Sequence, residues 1–131
     1  MALGEAMILD TCALLWLVTR DKKLSPEALS QIRECAAVYV SAVSAFEIAL
    51  KVAKRKLKLP LPPREWFMRA VEHHDLTVFP LTVDVCVNSV ELTQIHDDPC
   101  DRFIIATAMI NDLTVVTADE RFPKYGVRTI V

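Results

Sequence analysis

The chain has 131 residues, of which 53% are hydrophobic and 24% charged, a composition that excludes a disordered chain and suffices for one ordinary core. Two residues are glycine, too few for a G-x-G-x-x-G turn or a P-loop, which need several backbone positions open to close phosphate approach. The net charge of −2 hides an asymmetry: Lys51–Arg69 carries seven basic residues and one acid, and Glu72–Asp101 carries seven acids and no Lys or Arg, so a basic arm adjoins an acidic zone.

In chain order, Ala6–Asp10 predicts a short strand and Ala13–Val18 a helical turn. Ser25-Pro26, an N-cap followed by proline at the first helical position, starts a helix through Leu29 and Ile32 to Ala36. Val38–Ser41 predicts a second strand. Ser44 to Lys56 predicts a helix with Phe46, Leu50 and Ala53 on one face. Pro60, Pro62 and Pro63 mark a rigid turn, and Pro63 opens a helix whose apolar side is Trp66, Phe67, Ala70 and Val71. Leu76–Phe79 predicts a third strand, and Thr82 caps a helix with Val83, Val87 and Val90 as apolar positions. Asp98-Pro99 repeats the cap-plus-proline signature and begins a helix to Asn111 carrying Phe103, Ile104, Thr107, Ala108 and Ile110. Leu113–Thr117 and Val127–Val131 predict strands four and five. Short apolar strands separated by helices indicate a parallel sheet covered on both faces. The expected fold is therefore a three-layer α/β/α domain spanning residues 1–131, with a central parallel sheet of about five strands.

The longest uncharged run, Cys35–Phe46, has twelve residues, short of the ~20 apolar residues of a membrane span. Glu5 and Asp10 interrupt the apolar N-terminal stretch and no basic segment precedes it, so no signal peptide is expected. Cys12, Cys35, Cys86 and Cys100 lack C-x-x-C spacing, which suggests buried, reduced thiols and a cytoplasmic location.

Ligands of an open parallel sheet bind beyond the carboxyl ends of its strands. Asp10 closes the first strand and Asp119 lies just past the fourth. Glu47 is expected in the first turn of the helix after strand two, and Asp101 in the first turn of the helix leading to strand four. Four carboxylates so gathered repel one another unless a cation binds among them. A hard divalent ion with oxygen ligands, Mg²⁺ or Mn²⁺, is the natural partner. Each acid except Asp10 also has a purely structural reading. Ser44 and Glu47 form a capping-box pattern, Asp98 is a helix cap, Asp101 favours the helix dipole, and Asp119 can cap Glu120–Phe122.

These residues resemble the motifs of PIN-domain nucleases: Ile8-Leu9-Asp10-Thr11, Ser41–Ala49 with Glu47, His96-Asp97-Asp98-Pro99-Cys100-Asp101-Arg102, and Val116-Thr117-Ala118-Asp119. Within that family the chain is similar to the toxins of VapC type. Cys100 departs from the pattern, where the subgroup usually carries an aromatic residue. The resemblance implies an endoribonuclease, the toxin of a toxin–antitoxin pair. In it Asp10, Glu47, Asp101 and Asp119 hold one or two Mg²⁺ or Mn²⁺ ions, and RNA phosphodiesters are hydrolysed by a metal-activated water. It further implies a homodimer bound to its antitoxin. Thr11 and Thr117 are expected either to orient the carboxylates or to bond their local backbone. Arg102 is expected to contact a phosphate or an adjacent acid, and His96 to be structural. The basic stretch Lys51–Lys58 suits RNA or the antitoxin, and Trp66, Phe67 and Met68 suit a core or a partner groove. Two further readings are a PIN-type processing or DNA nuclease without an antitoxin, and a silent interaction module, although the latter would be expected to lack one of the acids. A haloacid-dehalogenase-like phosphatase would want a second Asp where Cys12 stands.

Overall fold

Strand β1 (Met7–Leu9) lies at the centre of a five-stranded sheet in a computed structural model that describes residues 6–131. Gly4 and Glu5 fall outside the described residues. After β1 come α1 (Thr11–Thr19), α2 (Pro26–Glu34), β2 (Val38–Ser41), α3 (Ala42–Ala53), α4 (Pro63–His73) and β3 (Leu76–Phe79). They are followed by α5 (Val83–Glu91), α6 (Pro99–Asn111), β4 (Thr114–Val116), a 3-10 turn (Phe122–Tyr125) and β5 (Thr129–Ile130). The strand order is β3-β2-β1-β4-β5 and every pairing is parallel.

The chain thus moves outward from β1 to β3 and then crosses back to build β4 on the other side of β1. Right-handed crossovers in opposite directions place their helices on opposite faces, and the side chains divide accordingly. Met7, Leu9, Val38, Val40, Leu76 and Val116 join one buried cluster with residues of α1, α2 and α4. Ile8 and Val115 face the other way, toward Ile104, Ile105 and Ala108 of α6 and toward Phe122. Alternation along strands buried on both faces produces the two cores of the expected three-layer fold.

The helix starts follow local chemistry. Ser25 and Thr82 accept hydrogen bonds from Ala28 N and Val85 N, and Asp98 accepts from Cys100 N and Asp101 N. α3 differs from the sequence expectation. Its cap is Ser41, which accepts from Val43 N, so the helix begins at Ala42 and Glu47 occupies the second turn. No capping box forms, and both Ser44 and Glu47 are released for other partners.

Two expected apolar faces are not covered. Phe46 and Leu50 are 57% and 39% exposed, because α3 packs through Val43, Ser44 and Ile48 instead. Val83, Val87 and Val90 are exposed, and α5 buries Val85 and Ser89. Trp66 and Phe67 are core residues, while Met68 is exposed. The four cysteines are all free, but only Cys100 is buried and Cys12 is exposed, contrary to the expectation of four buried thiols. Cys100 takes the place expected for an aromatic ring in the family pattern. Burial, followed by the charges of Glu47, Asp98 and Asp101, pushes its thiol up to about 11, so it stays protonated at neutral pH. Among the described residues no helix is long and apolar enough to cross a membrane.

Candidate active site

Register brings the site together. Leu9 pairs with Val40 and with Val116, so the next residues, Asp10, Ser41 and Thr117, emerge at one level on the carboxyl edge. The strand order reverses between β1 and β4, the position where open parallel sheets bind ligands. Asp10 is 6% exposed. As the cap of α1, its Oδ1 accepts from Ala13 N at 2.8 Å, and its Oδ2 accepts from the Thr117 hydroxyl at 2.5 Å. Thr117 Oγ1 also accepts from Asp119 N at 3.1 Å, tying the acid after β1 to the acid after β4.

A second hydroxyl relay serves Glu47. Thr11 Oγ1 donates to Glu47 Oε1 at 2.6 Å and lies 2.9 Å from Ser44 Oγ. Thr11 has one proton and the carboxylate can only accept, so Ser44 donates to Thr11. Lys51, one helical turn after Glu47, stands 3.8 Å from Oε2. Thr11 and Thr117 therefore both bond carboxylates. Serine at position 44, assigned from sequence to a cap, belongs to the same relay.

Asp101 and Asp119 come from α6 and the turn after β4. His96 Nε2 is 3.0 Å from Asp101 Oδ2. Donor atoms of His96, Asp101 and Asp119 all lie within 4.8 Å of one another, a spacing that can hold a metal ion. Asp10 and Glu47 stand outside that tight group, but their charges reach it: Glu47 acts on both Asp10 and Asp101, and Asp119 acts on Asp10.

The electrostatics divide the acids. Burial pushes Asp10 up to about 6 against the pull of the Thr117 and Ala13 hydrogen bonds, with Glu47 and Asp119 adding to the rise. Asp101 is likewise pushed up to about 6, first by burial and then by Asp98 and Glu47, against the His96 hydrogen bond. Asp119 is held below the usual carboxylate range by Arg121, which reaches Oδ2 at 2.6 Å and Oδ1 at 3.0 Å. The Arg121 pairing had a readable signal, a cation two residues after the acid.

Arg102 is not placed as expected. It is 6% exposed and touches neither a carboxylate nor open solvent where phosphate would arrive. Its guanidinium donates to the carbonyls of Ser89, Leu92, Thr93 and His96 and to the Tyr125 hydroxyl. Ser89 and Leu92 end α5, where the helix dipole is negative and carbonyls lack helical partners. Arg102 thus closes α5 and holds the segment that carries His96. Asp98 also takes its structural reading, as the exposed cap of α6. His96 Nδ1 lies 2.6 Å from Tyr125 Oη. Tyr125 has no local sequence signal: it ends the 3-10 turn that follows Asp119, and Gly126, at φ +93°, turns the chain after it.

Comparison with known proteins adds the family. The PIN domain model matches residues 7–127. The chain belongs to the PIN domain family. This PIN domain is 29% identical over 116 residues to Ribonuclease VapC22 of Mycobacterium tuberculosis, covering 88% of each protein. It also shares its fold with FitAcB from Neisseria gonorrhoeae, with a TM-score of 0.64, 22% identity, and 95% and 96% of the two chains covered. VapBC2 from Rickettsia felis, solved bound to a DNA fragment from its promoter, aligns with a TM-score of 0.70 at 13% identity, covering 95% and 97%.

Proposed function

We propose that this PIN domain is a divalent-metal-dependent endoribonuclease, the cytoplasmic toxin of a toxin–antitoxin pair. The observation that carries this reading is Asp10. A carboxylate 6% exposed, raised to about 6 by burial and by Glu47 and Asp119, is destabilised when ionised unless positive charge arrives beside it. The donors nearby are predominantly carboxylate oxygens, which suit Mg²⁺ or Mn²⁺. Asp10, Glu47, Asp101 and Asp119 would hold one or two such ions. A bound ion would supply a more acidic water and a positive charge facing the phosphate oxygens.

The chain's own residues preorganise that site. Thr117 holds Asp10 and aligns Asp119, Thr11 holds Glu47, and Arg121 keeps Asp119 ionised. Lys54, Arg55, Lys56 and Lys58 are exposed at and beyond the end of α3 and suit salt-dependent contacts along an RNA backbone. The toxin assignment draws on the ribonuclease relative and on the toxin–antitoxin complex from Klebsiella pneumoniae, which has this fold (TM-score 0.66, 19% identity). An apolar groove of about 510 Å³ between α3 and α4, lined by Ala45, Phe46, Ala49, Phe67 and Met68, suits an antitoxin helix. A homodimer is part of this proposal, and the exposed valines of α5 suit it.

The reading is tested by cleavage of a panel of single-stranded and structured RNAs, with DNA as a further arm, in Mg²⁺, Mn²⁺ or EDTA. Wild type should cut RNA only with metal, and Asp10→Asn should cut far more slowly. Undiminished cutting in EDTA or by the variant sinks the metal site, and cutting of DNA alone selects the DNA-nuclease alternative.

A further inference from the structure

His96 is close enough to Asp101 and Asp119 to be taken for a metal ligand, yet both of its ring nitrogens face other partners, Tyr125 Oη and Asp101 Oδ2. Tyr125 Oη has two acceptor lone pairs and one proton. It faces Arg102 Nη1 at 3.2 Å and the His96 backbone N at 3.1 Å, and both of these groups can only donate. Neither can take the phenolic proton, which is left for an acceptor. Its nearest acceptor is His96 Nδ1 at 2.6 Å, against 3.4 Å to the His96 carbonyl. A neutral imidazole that accepts at Nδ1 carries its proton on Nε2, and Nε2 is aimed at Asp101 Oδ2, 3.0 Å away.

Building on the metal-dependent reading above, we propose that Tyr125 is a positioning residue: its hydroxyl, oriented by Arg102, fixes His96 as a hydrogen-bond donor to Asp101 and keeps the imidazole from ligating the metal. The consequence is selectivity. With Nε2 protonated the site offers oxygen donors alone, which suits Mg²⁺ and Mn²⁺. An imidazole lone pair there would make a mixed nitrogen–oxygen site favouring Zn²⁺ or Ni²⁺. Arg102 acts through the same contact, because its Nη1 can only donate and so turns the phenolic proton away from itself.

The test uses the full chain. A long-range proton–nitrogen correlation on metal-free, histidine-labelled protein at pH about 8, where imidazole is ordinarily neutral, should show His96 protonated at Nε2 and bare at Nδ1. A protonated Nδ1 overturns the proposal. On Mn²⁺-loaded protein, electron spin-echo measurements should show no directly bound nitrogen in wild type. Tyr125→Phe, which keeps the ring and removes the hydroxyl, should acquire a bound nitrogen and shift Zn²⁺-over-Mn²⁺ preference by about tenfold, the low end for outer partners of metal ligands. Bound nitrogen in wild type, or a variant matching wild type in both measurements, overturns the proposal. If wild type binds no Mn²⁺, the metal-dependent reading fails, and the imidazole spectrum still judges the tautomer.

Discussion

Asp10 and Asp98 perform the same local task at two helix starts. Both have extended backbones and accept main-chain N–H groups of the first helical turn. Asp98 is exposed, its side chain makes no further hydrogen bond among the described residues and it adds its charge to the rise of Asp101 and Cys100, whereas Asp10 is buried at the sheet edge, bonded to Thr117 and pressed by Glu47 and Asp119. A cap is thus a local device whose neighbours decide whether its carboxylate is also pushed out of its ordinary range. The strand-order reversal between β1 and β4 gathers those neighbours around one cap and not the other.

The same substitution at both caps separates their roles. Asp10→Asn should lower RNA cleavage by on the order of 10²–10³-fold, as for other losses of one preorganised electrostatic group, measured as kcat/KM with saturating metal. The next largest effect belongs to Arg102, three residues into the helix that Asp98 caps. Arg102→Met should lower stability by about 3 kcal/mol, because one buried and three partly buried carbonyls lose their donor, seen as a lower denaturant midpoint. Residual cleavage at low temperature would separate this role from a phosphate contact.

Thr117→Val removes the hydroxyl that links Asp10 to Asp119 and should reduce metal affinity about tenfold, with Thr117→Ser restoring it. The pH dependence sharpens the contrast further. The Asp10 carboxyl sits at about 6 in the folded chain, above its ordinary 3.8, so the native state binds its proton more tightly than the unfolded state. Its ionisation therefore costs stability, and metal-free protein should become less stable as pH rises from about 4 through about 6, by about 1–3 kcal/mol for this group. Asp101 titrates in the same range, so Asp10→Asn should reduce that slope in a thermal-melt series and leave the share of Asp101, and Asp98→Asn should leave the share of Asp10. The smallest effect is expected of Asp98→Asn, since Asn caps as well as Asp: a stability change of about 0.3–1 kcal/mol from the lost charge at the helix N-terminus, with cleavage nearly intact.

Features governed by neighbours in the chain were readable from it. The strands Val38–Ser41 and Leu76–Phe79 and the helix from Pro99 to Asn111 have the limits expected from apolar runs, caps and proline. α3 starts earlier than its sequence suggests because Ser41 and Ser44 are equally good caps in isolation. Only the Thr11 hydroxyl, 33 residues away in sequence from Ser44, shows which serine is otherwise engaged. The apolar stripes of α3 and α5 resembled core positions, since periodicity reports that one face is apolar but not what covers it.

The sequence alone determined which acids exist, which strand or helix end each occupies, and that phosphate could not be cradled by glycine. Tertiary structure decided the rest: that Glu47 is held by Thr11, that Arg102 closes α5 and bonds no carboxylate, and that Tyr125 meets His96 Nδ1. The division has one physical cause. Caps and strand ends are set by residues a few positions apart, whereas burial, carboxylate charge and imidazole tautomer depend on groups that only parallel register and the β1–β4 reversal bring within hydrogen-bond reach.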